Sequence, residues 1–129
     1  MDTNNPVIKL CIKGTQAEFS KDMPAACEFY MQAWQTASND YEACVAAHYV
    51  ARCQANPQDV FVWNQKALDH AMQVSDDSVQ EFYPSLYLNI GKSFQGTGNP
   101  EEAQKYFSLA AALGAEHQEE YTKPHEQGL

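Results

Sequence analysis

Arginine occurs only once in this chain, at Arg52, and no stretch gathers basic residues. Lysine and arginine total 8 against 17 aspartates and glutamates, a net charge of −9. A surface this acidic repels phosphate backbones, so nucleic acid is not an expected partner. The excess acid reads as a solvated face and names no basic partner. Long apolar runs are also missing. None approaches the ~20 residues that a membrane span needs, so no membrane partner is expected. The opening MDTNNPVIKL lacks the basic and apolar regions of a secretory signal. β-branched runs are nearly absent; the longest candidate, Val60-Phe61-Val62-Trp63, is short and follows Asn56-Pro57. A parallel sheet cannot be built from such material, which excludes the nucleotide-binding and methyltransferase folds that depend on one.

Several chemical signatures are missing too. The four cysteines, Cys11, Cys27, Cys44 and Cys53, form no CxxC pair and all fall inside predicted helices. They are expected to be buried free thiols in a cytoplasmic protein. His48, His70, His117 and His125 show no HExxH spacing, so no metal is expected. His48 is read as a partly buried core histidine beside Tyr49, and His70 as a surface residue. The run Gly91-x4-Gly96-Thr97-Gly98 lacks the Gly-Lys-Ser/Thr ending of a phosphate loop. Glu101-Glu102 and Glu119-Glu120 are adjacent only, and helical neighbours point about 100° apart, so neither pair forms an acid–base dyad. No catalytic residue and no cofactor is expected.

What is present is helical periodicity, punctuated by proline and short polar caps. The chain of 129 residues is expected to form one domain. A first helix is predicted from about Pro6 to Phe19, with Pro6 in the first turn, where its missing N–H costs nothing. Asp22 is expected to cap a second helix ending near Ser38-Asn39-Asp40. A third runs from about Asp40, as cap, to Gln54. A fourth spans about Pro57 to Val74. A fifth begins between Ser78 and Pro84 and ends at Gln95. Asn99 is expected to cap a sixth, with Pro100 in its first turn and Leu113-Gly114 at its end. Ala115 to Leu129 is polar and expected to be frayed.

Small and large residues recur in register. Ser85 to Leu113 places Tyr87, Ile90, Gly91 and Phe94 on one face of a helix, and Ala103, Phe107 and Ala110 on one face of the next. Ala26 and Ala33 match Ala103 and Ala110, Tyr30 matches Phe107, and Gly14 falls opposite Gly91. In the middle pair, Ala67 matches Ala33, Val60 replaces the first alanine, His48 replaces the glycine and Asn64 replaces the aromatic ring. Gly14 to His48 is 48 − 14 = 34 residues; His48 to Gly91 is 91 − 48 = 43, so nine extra residues map to Met72–Tyr83. They are expected to form a helix extension or an extra turn. Trp34 and Trp63, at matching places on second helices, are read as core wedges.

This pattern resembles the tetratricopeptide repeat, whose period is ~34 residues. The resemblance covers about residues 6–114, as repeats at about 6–38, 40–74 and 80–114. It implies an all-α fold, an α-α superhelix of three helical hairpins with about six helices, whose first helices line a concave groove. It further implies a non-catalytic scaffold or adaptor that binds a protein or peptide. The family's groove positions fall on Ile12, Thr15, Tyr49, Arg52, Asn89, Lys92 and Gln95. Arg52, Asn89 and Lys92 have the donors that a peptide carboxylate needs. The first repeat offers Thr15 and Glu18 where the family's carboxylate clamp has other residues. Repeat arrays usually end in a polar capping helix. After Leu113 only a short polar stretch follows, so Leu109, Ala112 and Leu113 form a candidate homodimer interface. A self-associating regulatory subunit is thus the alternative reading, and a small enzyme using His48, Tyr49 and Arg52 is the third.

Overall fold

The computed structural model describes residues 3–114. They form six α-helices, α1 (Pro6–Phe19), α2 (Met23–Thr36), α3 (Asp40–Ala51), α4 (Pro57–Ala71), α5 (Tyr83–Gly96) and α6 (Pro100–Ala112), with a short 3-10 turn over Gln80–Phe82. No strand occurs among the described residues. The helices pair as α1 with α2, α3 with α4 and α5 with α6. The expected all-α architecture of three helical hairpins is therefore the one observed. The tail from Ala115, with His117, His125 and Glu119-Glu120, lies outside the described residues.

The chemistry of the helix starts explains most of these boundaries. Asn5 accepts from the N–H groups of Val7 and Ile8, with Pro6 behind it at the first helical position. Asp22 accepts from Ala25 N–H at 3.1 Å and caps α2 as expected. The cap of α3 is Asn39 rather than Asp40: its side-chain Oδ1 takes the Glu42 N–H at 2.8 Å, which moves Asp40 into the first turn. Glu42 then reaches back to the Ser38 N–H at 2.8 Å, a reciprocal arrangement close to a capping box. At α6, Asn99 occupies the cap position but makes no side-chain cap bond; its amide turns instead to Thr97 Oγ1 at 3.2 Å.

Two helices end earlier than the periodicity suggests. α3 stops at Ala51, not Gln54, because the chain tightens into i→i+3 bonds, Arg52 N–H to Tyr49 and Cys53 N–H to Val50. α4 stops at Ala71, not Val74, for the same reason: Gln73 N–H bonds His70 and Val74 N–H bonds Ala71. The nine extra residues form turns and the 3-10 turn, not an extension of α4.

The chain divides into two compact units, Met1–Val79 and the residues from Gln80 onward. In the first, α3 packs on α1 and α2 as well as on its own partner α4. That surrounding explains its sequence. Glu42 to Ala47 are buried without a break, which a helix with one exposed face cannot show. Four of those six are alanine or cysteine, and such small side chains let the neighbouring backbones approach. The core is completed by Val7, Ile8, Cys11, Ala26, Tyr30 and Ala33. Gly14 lies under Tyr30, and a Cβ built there would run into the ring.

The second unit repeats this device. A Cβ on Gly91 would sit 2.6 Å from Phe107 Cε1. Leu86, Ile90, Ala103 and Ala110 are buried around that contact. A file of rings, Tyr83, Tyr87, Tyr106 and Phe94, runs beside it with neighbouring centroids 5.6 to 6.1 Å apart.

Candidate functional site

The end of α3 is the most chemically organised place in the first unit. Because α3 closes with tight turns at Arg52 and Cys53, the Arg52 side chain projects toward the last turn of α1. There it meets Glu18 through two bonds, Nε to Oε1 at 3.1 Å and Nη2 to Oε2 at 2.7 Å. Tyr30 donates its hydroxyl to the same Oε1 from α2. Thr15 Oγ1 lies 3.4 Å from the Tyr30 hydroxyl and donates to the Cys11 carbonyl. Tyr49 stacks on Tyr30 with centroids 5.0 Å apart, and His48 meets Tyr49 edge-on at 5.3 Å.

These groups surround an open recess of about 440 Å³ lined by Thr15, Glu18, Phe19, His48, Tyr49 and Arg52. Its electrostatics follow from the pairing. The bonds from Arg52, and after them the one from Tyr30, hold the Glu18 carboxyl below its ordinary range against a modest desolvation cost. The same partner raises Arg52 further. Burial, then the Glu18 carboxylate, pushes the Tyr30 hydroxyl up to about 12. Burial lowers His48, assisted by the Arg52 charge, and its Nδ1 is buried with no hydrogen-bond partner. His48 is thus neutral at pH 7, on the packed side of a recess whose fixed charges cancel. Phe19 stands at the mouth, 85% exposed.

Of the seven expected groove residues, Thr15, Tyr49 and Arg52 come together here. Ile12 lies on α1, exposed and outside the recess lining. Asn89, Lys92 and Gln95 lie on α5 of the other unit, the first half-buried and the other two exposed. The role expected of Arg52 changes in one respect: its guanidinium is not free but already carries an internal carboxylate. Glu18, which is not among the expected groove positions, lines the recess with His48 and Phe19.

The cysteine expectation is corrected. Cys27 of α2 and Cys53, just past α3, are joined as a disulfide with Cα atoms 5.8 Å apart. Both are half-buried. Cys53 escapes the helix because α3 ends early, and this turn brings it to α2. Cys11 and Cys44 are the buried free thiols, each pushed up to about 12 by burial.

A second recess, about 620 Å³, lies on the other side of the unit along Trp34, Ser38, Asn39, Asp40 and His70. His70 is not a simple surface residue: its Nδ1 is 2.8 Å from Asp40 Oδ1, and its ring lies 5.7 Å from Trp34. Trp34 and Trp63 meet edge-to-face at 5.0 Å with the Lys66 ammonium over both, which agrees with their reading as wedges between α2 and α4.

Among the described residues, no group of three or more His, Cys, Asp or Glu is placed to hold a metal ion, and no helix is long and apolar enough to cross a membrane. No family model, curated protein or solved structure matches the chain.

Proposed function

We propose that the chain is a tetratricopeptide-type scaffold that binds a protein or peptide segment across the first helices of its first two hairpins, without catalysis. The observation that carries this reading is the recess between α1 and α3. Three of the groove positions that the family resemblance implies, Thr15, Tyr49 and Arg52, line it together. It offers aromatic faces, hydroxyls and the outer edge of a guanidinium whose inner edge is fixed by Glu18. Such a surface suits a chain segment laid across it better than a reaction, which needs a closed, dry site. The recess is open, and its histidine points its buried nitrogen at no partner. Affinity capture from the source cell tests this reading: Arg52→Glu abolishes recovery of the partner while the far-ultraviolet circular dichroism is unchanged. Undiminished capture by that variant contradicts it.

The exposed end of α6 favours a second reading, a self-associating subunit. Leu109 and Leu113 are 46% and 54% exposed. Sedimentation velocity from micromolar to high micromolar concentration decides it. A dimer lost on Leu109→Glu supports this reading, and a monomer throughout removes it.

A further inference from the structure

Two clasps fasten the end of α3 to the first hairpin, and they come from consecutive residues. Arg52 holds Glu18 of α1, and Cys53 is bonded to Cys27 of α2. Tyr30 lies one helical turn beyond Cys27 and donates to the same Glu18. The contacts therefore close a ring: Cys53 to Cys27, along α2 to Tyr30, across to Glu18, back to Arg52, and through one peptide bond to Cys53. Strain or freedom introduced at one link is felt at the others, because all are positioned by one short turn. The bridge is also placed to be reached. Both of its residues are half-buried, whereas Cys11 of α1 and Cys44 of α3 are buried and too weakly acidic to supply a competing thiolate.

We propose that Cys27–Cys53 is a thiol–disulfide exchange site whose redox state sets whether Arg52 is locked on Glu18 or released to the recess. The reductant is a small thiol or a dithiol protein. Its thiolate attacks one sulfur of the bridge, the S–S bond breaks, and a mixed disulfide forms. A second thiolate displaces the protein sulfur from that intermediate, and the reductant leaves as its own disulfide. Two electrons pass to the protein, and Cys27 and Cys53 each take up one proton. With the tether gone, the turn that carries Arg52 loses one of its two anchors, and the guanidinium becomes available to a carboxylate from outside. Neither clasp needs a bound peptide, so this switch stands or falls separately from the groove reading.

The chain supplies its own reporter, since its single arginine gives a single Nε–Hε resonance. In the full-length oxidised protein that proton exchanges slowly with water. On adding dithiothreitol, the resonance shifts and its exchange accelerates; an unchanged resonance overturns the proposal. The reciprocal experiment equilibrates the protein in glutathione buffers, traps thiols by alkylation and counts them by mass spectrometry. Oxidised wild-type protein protects Cys27 and Cys53 together. Glu18→Gln lowers the equilibrium constant for bridge formation by at least about fivefold, as linkage requires of a coupled pair. Gly96→Ala, in the other unit and with open space where its Cβ would go, leaves it unchanged. No recovered Cys27–Cys53 peptide, or a smaller effect of Glu18→Gln, overturns the proposal.

Discussion

Arg52 and Glu18 are 34 residues apart, 52 − 18, the spacing that separates Gly14 from His48, and their side chains meet in a forked ion pair with contacts of 2.7 and 3.1 Å. The pair links equivalent places on successive hairpins. Its two partners differ in environment, Arg52 being 53% exposed and Glu18 only 18%. Removing the arginine leaves a sheltered carboxylate with Tyr30 as its remaining partner.

Arg52→Ala is therefore expected to destabilise the protein by about 1–2 kcal/mol, more than a fully solvated pair would give. Urea unfolding reads this directly. One molar salt narrows the gap between wild type and variant, since part of the attraction is screened.

The two glycines beneath rings make a second prediction. Gly14→Ala and Gly91→Ala each force an aromatic side chain to move, at a cost of about 1–3 kcal/mol. Gly96, at the end of α5, has open space where a Cβ would go. Gly96→Ala is expected to be neutral or to stabilise by up to about 1 kcal/mol. Thermal unfolding of the three variants separates the cases.

Acidification weakens the fold in two stages. His48 has a folded pKa below its ordinary 6.5, so burial opposes its protonation, and stability falls as pH drops below that value. Glu42, bonded by Ser38 N–H, Asn5 and the Ser38 hydroxyl, has its pKa lowered from 4.5, as does Glu18. Their contribution is complete above 4.5 and is lost as pH falls through their folded values. Unfolding midpoints measured from pH 8 to pH 3 show both stages. His48→Gln removes the upper one, and Glu42→Gln reduces the lower.

Reduction of the bridge has a stability consequence of its own. The bridge closes a segment with a sequence separation of 26, and chain entropy assigns it about 3 kcal/mol. Cys27→Ser and dithiothreitol treatment are expected to lower the urea midpoint equally. Dithiothreitol then has no further effect on the variant.

Local signals made most of the fold legible. Proline at the helix starts and Asp22 as a cap act over a few residues, and each lies where it was read. The alignment of sizes matched Gly14 with Gly91 and Tyr30 with Phe107, but that each glycine lies under the ring of its partner helix is a contact across 16 residues that only the structure shows. The start of α3 was also written locally, in Asn39-Asp40-Tyr41-Glu42, where the asparagine outranks the aspartate because Glu42 completes the reciprocal cap. The bridge was not legible. Cys27 and Cys53 share no local motif, and their pairing depends on α3 ending at Ala51, a boundary set by backbone bonds after Tyr49 and Val50. The recess was half legible. The family resemblance pointed to Thr15, Tyr49 and Arg52 and set Glu18 beside them in the first repeat, but that Glu18 neutralises Arg52 emerges only when α1 and α3 are side by side.

In the scaffold role proposed for the chain, the face shared by α1 and α3 receives a chain segment. Peptides enriched from a random display library on the immobilised protein provide the probe, titrated into isotope-labelled protein and followed by amide and arginine side-chain resonances. Binding on this face gives saturable shifts at Thr15, Tyr49 and the Arg52 Nε–Hε group. Enrichment of no peptide, or shifts that leave these three residues untouched, contradicts it.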